Sequence, residues 1–243
     1  MLLGKKIKAI SKVVIVALML LSQPALAAVV ELVKNSGLNG TVGNSQLPTD
    51  WVVGNTVAST ANTPDLMDIN NYAGISNYSG YATDLSESPV SGGSWLGVGR
   101  NFGRINESFS QLISGFVIGN TYTLSWYDAN FGIDTQFVNY TNANRFRASI
   151  WNENDVLGNF LGESNAVDAI ENWQFNSFTF TPKQTSYTLT FSLSGPRRSY
   201  LSIDDISIST QISAVPEPSS WALLLFGLVG IGFQSRVRKL LNT

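Results

Sequence analysis

The chain has 243 residues, 44% hydrophobic and 13% charged, with 15 basic against 17 acidic side chains and neither cysteine nor histidine. Those two absences exclude nucleophilic catalysis that relies on a histidine base, zinc sites built on His or Cys, and disulfides. Oxygen-ligand metals such as calcium remain open, and burial alone has to stabilise the fold.

The chain begins with Lys5, Lys6, Lys8 and Lys12, then an apolar run from Val13 to Leu21, then Gln23-Pro24-Ala25-Leu26-Ala27-Ala28. A basic start, a short apolar core and an A-x-A exit make residues 1–27 a signal peptide, cut after Ala27 with Ala25 and Ala27 as its small residues. The apolar run is well short of the ~20 residues that span a bilayer. The expected partner is the secretion machinery.

Residues 28–212 are expected to form one β-sandwich domain. Between about Ala28 and Val215, 8 basic residues face 16 acidic ones, a net charge of −8. That balance disfavours nucleic acid, whose phosphates need a basic patch.

From Thr56 to Asn101 the chain is dense in Asn, Gly, Ser and Tyr, with Pro64 and Pro89. This reads as long loops with edge strands at Tyr72–Ile75 and Ser94–Val98. Strict alternation follows. Tyr122, Leu124 and Trp126 share one strand face, and Thr123, Ser125 and Tyr127 the other. Phe146, Ala148 and Ile150 alternate with Arg147, Ser149 and Trp151. One or two helical turns are expected over Val167–Trp173, and a strand over Gln174–Phe180. Tyr187, Leu189, Phe191 and Leu193 alternate with Thr188, Thr190 and Ser192. Leu201 and Ile203 are followed by Ile206 and Ile208, a spacing of three that marks Asp204-Asp205 as a bulge or a change of facing. Many short strands with turn residues between them predict an antiparallel sandwich.

The last segment, 213–243, contains Trp221–Phe233, uncharged and mostly apolar, followed by Arg236, Arg238 and Lys239. As a helix those thirteen residues measure about 20 Å; Ser219–Ser235 reaches the lower limit of a span. The basic end is expected to stay cytoplasmic, with the domain outside and the helix transiently in the inner membrane.

Val215-Pro216-Glu217-Pro218-Ser219, the apolar stretch and the basic terminus together resemble a PEP-CTERM sorting signal. The resemblance implies that Pro216, Glu217, Pro218 and the basic residues are read by an exosortase-type membrane protease. It also implies a Gram-negative host that makes extracellular polysaccharide. The two prolines would hold the recognition strip extended and off the helix.

The domain resembles the galactose-binding-like jelly roll of carbohydrate-binding modules. The carrying residues are Glu31 to Gly37, Leu47-Pro48-Thr49-Asp50-Trp51, Gly119-Asn120-Thr121-Tyr122-Thr123-Leu124-Ser125-Trp126, Trp173, and Ile203-Asp204-Asp205-Ile206. The resemblance implies an antiparallel jelly-roll β-sandwich, here flanked by an N-terminal signal helix and a C-terminal membrane helix. It also implies a structural calcium shared by an opening acid and a late Asp, here Glu31 and Asp205. The family's opening Phe-Glu is not evident at Ser36-Gly37-Leu38. Asp204 and Asp205 alternatively only shape a bulge and bond nearby amides.

A sugar site needs flat aromatic faces and a few placed polar groups. Tyr127, Arg147 and Trp151 fall opposite the inferred core faces, and Trp95, Tyr72, Tyr78 and Tyr81 fall in the loop-rich stretch. Packing roles for these aromatics stay open. Glycoside hydrolysis needs two carboxyl groups across a cleft. Glu107, Glu153, Asp155 and Glu163 show no such pairing in sequence, so no enzyme is expected. The four Asn-x-Ser/Thr sites are assigned no role. The expectation is a non-enzymatic protein of the cell envelope or secreted matrix, associated with extracellular polysaccharide. A structural or adhesive matrix protein and, behind it, a glycosidase are the alternatives.

Overall fold

The computed structural model describes residues 29–54, 63–69, 85–91, 93–101, 105–134, 139–152, 159–168, 170–195 and 197–211. The signal segment with Ala25 and Ala27 lies outside them. So do Tyr72, Tyr78, Tyr81, Glu153 and Asp155, and the tail with Pro216, Glu217, Pro218, Arg236, Arg238 and Lys239.

In chain order the strands are β1 (Val29–Glu31), β2 (Val52–Val53), β3 (Asp65–Asp68), β4 (Ser94–Asn101), β5 (Ile105–Asn106) and β6 (Ser108–Ser114). They continue with β7 (Tyr122–Asn130), β8 (Phe146–Trp151), β9 (Asn159–Glu163), β10 (Ile170–Phe180), β11 (Ser186–Leu193) and β12 (Ser199–Gln211). The described residues contain no helix, and so none long and apolar enough to cross a membrane. Residues Val30–Thr210 form one compact unit.

Two antiparallel sheets carry the fold. The seven-stranded sheet runs β10-β7-β12-β4-β3, with β1 added on β12 and β5 on β4. The five-stranded sheet runs β2-β6-β11-β8-β9. From β6 to β12 the chain crosses between the sheets at every step but one, from β8 to β9. This is a jelly-roll β-sandwich.

The alternation read from the sequence is what builds the core. Tyr122, Leu124 and Trp126 of β7, Phe146, Ala148 and Ile150 of β8, and Tyr187, Leu189 and Phe191 of β11 are all buried between the sheets. The Trp126 ring stacks on Phe178 at 5.4 Å and meets Phe191 edge-on at 5.2 Å. Phe191 in turn stacks on Phe109 at 5.5 Å. Such pairs add roughly 0.5–1.5 kcal/mol each beyond the area they bury.

The three-residue spacing resolves as a bulge. Asp205 has φ of 53°, and the β12–β7 register shifts between Asp204 and Ser207. The extra residue restores the facing, so Ile203 and Ile206 are both buried in the core.

Two expectations are corrected. The described residues of Val167–Trp173 form no helical turn: the Val167 amide donates to the Asn144 carbonyl at 2.8 Å, and β10 has begun by Ile170. Ladder pairing there outweighs local propensity. Ser94–Val98 lies in a strand that is not at an edge, because β4 has β12 on one side and β3 on the other. β3 was unforeseen inside the loop-rich stretch.

A second apolar cluster lies on the opposite face of the seven-stranded sheet, formed by Met67, Trp95, Ala129, Phe131, Ile133 and Tyr200. Gly97 makes room for it, since a Cβ there would collide with the Tyr200 hydroxyl. That hydroxyl donates to Asp65 Oδ2 at 2.8 Å.

Candidate functional site

The outward face of the five-stranded sheet is built from the residues that alternate with the core. One paired row crosses all five strands: Val52, Ser110, Thr190, Ser149, Phe160. A parallel row on one side is Leu112, Thr188, Trp151; on the other it is Ser108, Ser192, Arg147, Glu163. Directly paired residues of an antiparallel sheet project to the same side, so the three rows share one surface.

That surface has a floor and a rim. Ser110, Ser149 and Thr190 are small and buried beneath longer neighbours. Val52, Phe160 and Leu112 stand out at 58%, 52% and 68% exposure. The Arg147 guanidinium sits 5.0 Å above the Phe160 ring centroid, a cation–π contact that fixes both side chains. Arg145 pairs with Glu163 at 3.6 Å, so this carboxylate is tied into an exposed ion pair. Hydroxyl donors and acceptors under an apolar and aromatic rim suit a ligand with both C–H faces and hydroxyl groups.

Arg147 and Trp151 are thus brought together as the sequence suggested. Tyr127 is not with them: it projects from the other sheet, where its ring lies 5.2 Å from Phe175. Trp95 faces no solvent at all. It is 0% exposed and packs against Phe131 at 5.9 Å and Trp173 at 6.1 Å, rings from distant parts of the chain that alternation alone could not foretell. Sequence reasoning missed Phe160, Val52 and Leu112. The Ser and Thr residues alternating with core positions in β6, β8 and β11 were the available signal.

Glu31 and Asp205 serve different partners. Glu31 Oε1 accepts from the Val33 amide at 2.7 Å and the Ile208 amide at 3.0 Å, and Oε2 accepts from the Ser207 hydroxyl. Asp205 Oδ2 accepts from the Ser88 hydroxyl and from the Ser91 amide at 3.3 Å. Both Glu31 oxygens already hold proton donors that a cation would have to displace, so this pair does not fit a shared calcium. No group of three or more His, Cys, Asp or Glu suited to a metal occurs among the described residues.

Four carboxyl groups are buried, and desolvation raises all their pKa values. Glu107 is pushed up to about 8, although the Gly99 amide (2.5 Å) and Thr63 hydroxyl (3.2 Å) donate to it; the Asp65 charge raises it further. Asp204, beside Asp205, rises to about 7 and Asp128 to about 6. Asp65 rises as well, opposed by bonds from the Ser45 amide and the Tyr200 hydroxyl. Asp65 and Glu107 are thus two neighbouring carboxyl groups whose pKa values are both raised. Both are buried and committed to these donors, which suits structure rather than attack on a bond in a cleft.

The geometry defines a jelly-roll sandwich whose five-stranded sheet turns Val52, Leu112, Phe160 and Arg147 outward over buried hydroxyl residues. The chain also carries a PEP-CTERM protein-sorting motif, matched over residues 214–239. No curated protein matches the sequence. Among solved structures, the CBM22-1 xylan-binding domain of Paenibacillus barcinonensis Xyn10C is similar at 14% identity and a TM-score of 0.45, covering 79% of this chain and 100% of its own. The K2 cleaved adhesin domain of Lys-gingipain is similar at 13% identity and 0.43, covering 75% and 98%. The enzymatically active domain of bacteriophage CBA120 tailspike protein 4 is similar at 12% and 0.38, covering 66% of this chain and only 19% of the tailspike chain. Likenesses this distant say nothing of what this chain binds.

Proposed function

We propose that the protein is exported by the secretion machinery, processed at its tail by an exosortase-type protease, and retained at the cell surface or in the matrix by binding extracellular polysaccharide without cleaving it. The sorting motif over 214–239 supports the first part. The row Val52–Ser110–Thr190–Ser149–Phe160, flanked by Trp151 and Arg147, carries the second. Aromatic and aliphatic side chains cover sugar C–H faces, and the floor hydroxyls and guanidinium meet sugar hydroxyls.

Retention of the processed protein on immobilised envelope polysaccharide is the test. The double variant Phe160→Ala, Trp151→Ala is expected to lose at least about half of its retention while melting close to wild type. Equal retention of the two proteins would sink the assignment. The rival, an adhesive matrix protein, draws on Val117 and Ile118, exposed at 57% and 60% in the β6–β7 turn. Self-association in the absence of any glycan, lost on Val117→Ser, would favour it.

A further inference from the structure

The seven-stranded sheet also turns a face outward, and the start of β7 and the ends of β10 and β12 lie beyond the second apolar cluster. The paired rows Ser177–Ser125–Ser207 and Thr179–Thr123–Ser209 set six hydroxyl side chains on one lattice. Its spacing is ~4.8 Å between strands and about 7 Å along them. Ser207 donates to Glu31; the other five make no side-chain hydrogen bond among the described residues. The next row is Phe175–Tyr127–Asp204, where Phe175 is 59% exposed and stands against the Tyr127 ring.

The charge on this face is distinctive. None of the three strands contains a Lys or Arg, while Glu31 closes one border of the lattice. A polyanion would find no cation on these strands, while the carboxyl groups of Glu31 and, buried in the next row, Asp204 lie beside the lattice. An uncharged chain of hydroxyl-bearing rings meets free hydroxyls and an aromatic pair. On the five-stranded sheet, by contrast, Arg147 offers a guanidinium.

We infer that this is a second glycan-binding face, selective for neutral polysaccharide, lying back to back with the first so that one sandwich bridges two polysaccharide chains. The inference rests on the polysaccharide reading of the first face, and it assigns a role to Tyr127 that the first face does not use. Binding at two opposed faces converts a ligand into a cross-linker, because each polysaccharide chain offers many sites.

The test mixes the processed protein with a soluble neutral β-glucan, a neutral xylan or anionic alginate, and reads light scattering together with co-sedimentation. With a neutral chain, wild type is expected to raise scattering. Phe175→Ala and, separately, Ser177→Arg are expected to keep about half the bound protein at saturation and to lose the scattering rise. Phe160→Ala with Trp151→Ala is expected to behave in the same way through the remaining face. Phe175 and Ser177 are exposed, so their variants leave the core intact. If both second-face variants bind and scatter like wild type, this inference falls and the first face stands. If the Phe160 and Trp151 variant binds nothing, the second face is refuted as well. If wild type binds none of the three polymers, both readings fall. A dimer seen without glycan and lost on Phe175→Ala makes the face a contact between copies and overturns the inference.

Discussion

The two sheets of this sandwich treat their outer faces differently. On the five-stranded sheet Val52, Leu112, Phe160 and Arg147 stand out on the side opposite the core, while the hydroxyl residues Ser110, Ser149 and Thr190 between them are buried. On the seven-stranded sheet, the half around β3 and β4 is roofed by Trp95, Met67, Phe131 and Tyr200, with Asp65 and Glu107 sealed beside them. The same period-2 alternation thus yields a surface in one place and a second core in the other. Among the described residues, Phe131 and Ile133, outside the strands, add apolar partners to the seven-stranded sheet.

The sharpest way to break this contrast is Trp95→Ala. It removes a large side chain that is fully buried against Phe131 and Trp173, and should cost about 3–5 kcal/mol in denaturant unfolding. A loss below roughly 0.5 kcal/mol, the surface norm, would mean that the roof is not formed.

A pH sweep comes next. Burial raises the folded-state pKa of Asp128 to about 6, Asp204 to about 7 and Glu107 to about 8. The unfolded chain releases those protons near pH 4. The folded state therefore holds more protons above pH 4, and stability falls as pH rises through 6 to 8. Urea midpoints between pH 5 and pH 9 should decline, and Glu107→Gln should flatten the upper part of the decline. A midpoint that rises over this range would contradict the burial of these groups.

Tyr200→Phe should cost about 1–3 kcal/mol, because it strands Asp65 Oδ2 without its hydroxyl donor. The smallest effect on stability belongs to the open face. Arg147→Ala should move the unfolding free energy by less than about 0.5 kcal/mol yet weaken polysaccharide retention. A large destabilisation there would show that the face is structural.

Much of the fold was legible because burial follows the alternation. Leu124, Phe146, Leu189 and Ile208 each point inward as their spacing implies, and the bulge at Asp205 was written in the gap between Ile203 and Ile206. Trp95 was not legible as a core residue, since its cover comes from segments distant in sequence, such as Phe131 and Trp173. For the same reason the burial of Glu107 could not be read from the sequence. The Gly99 amide donates to its carboxylate at 2.5 Å, and a Cβ at Gly99 would stand 3.2 Å from Oε2. Arg147 and Trp151 could be placed opposite the core from β8 alone, but their partner Phe160 needed the β8–β9 pairing.

The most direct measurement is hydrogen–deuterium exchange of the processed protein with and without its envelope polysaccharide. Bound polysaccharide is expected to slow exchange in Phe146–Trp151 and Asn159–Glu163, the two strands that carry Arg147, Trp151 and Phe160. Unchanged exchange in both strands, with protein demonstrably bound, would contradict the assignment of this face.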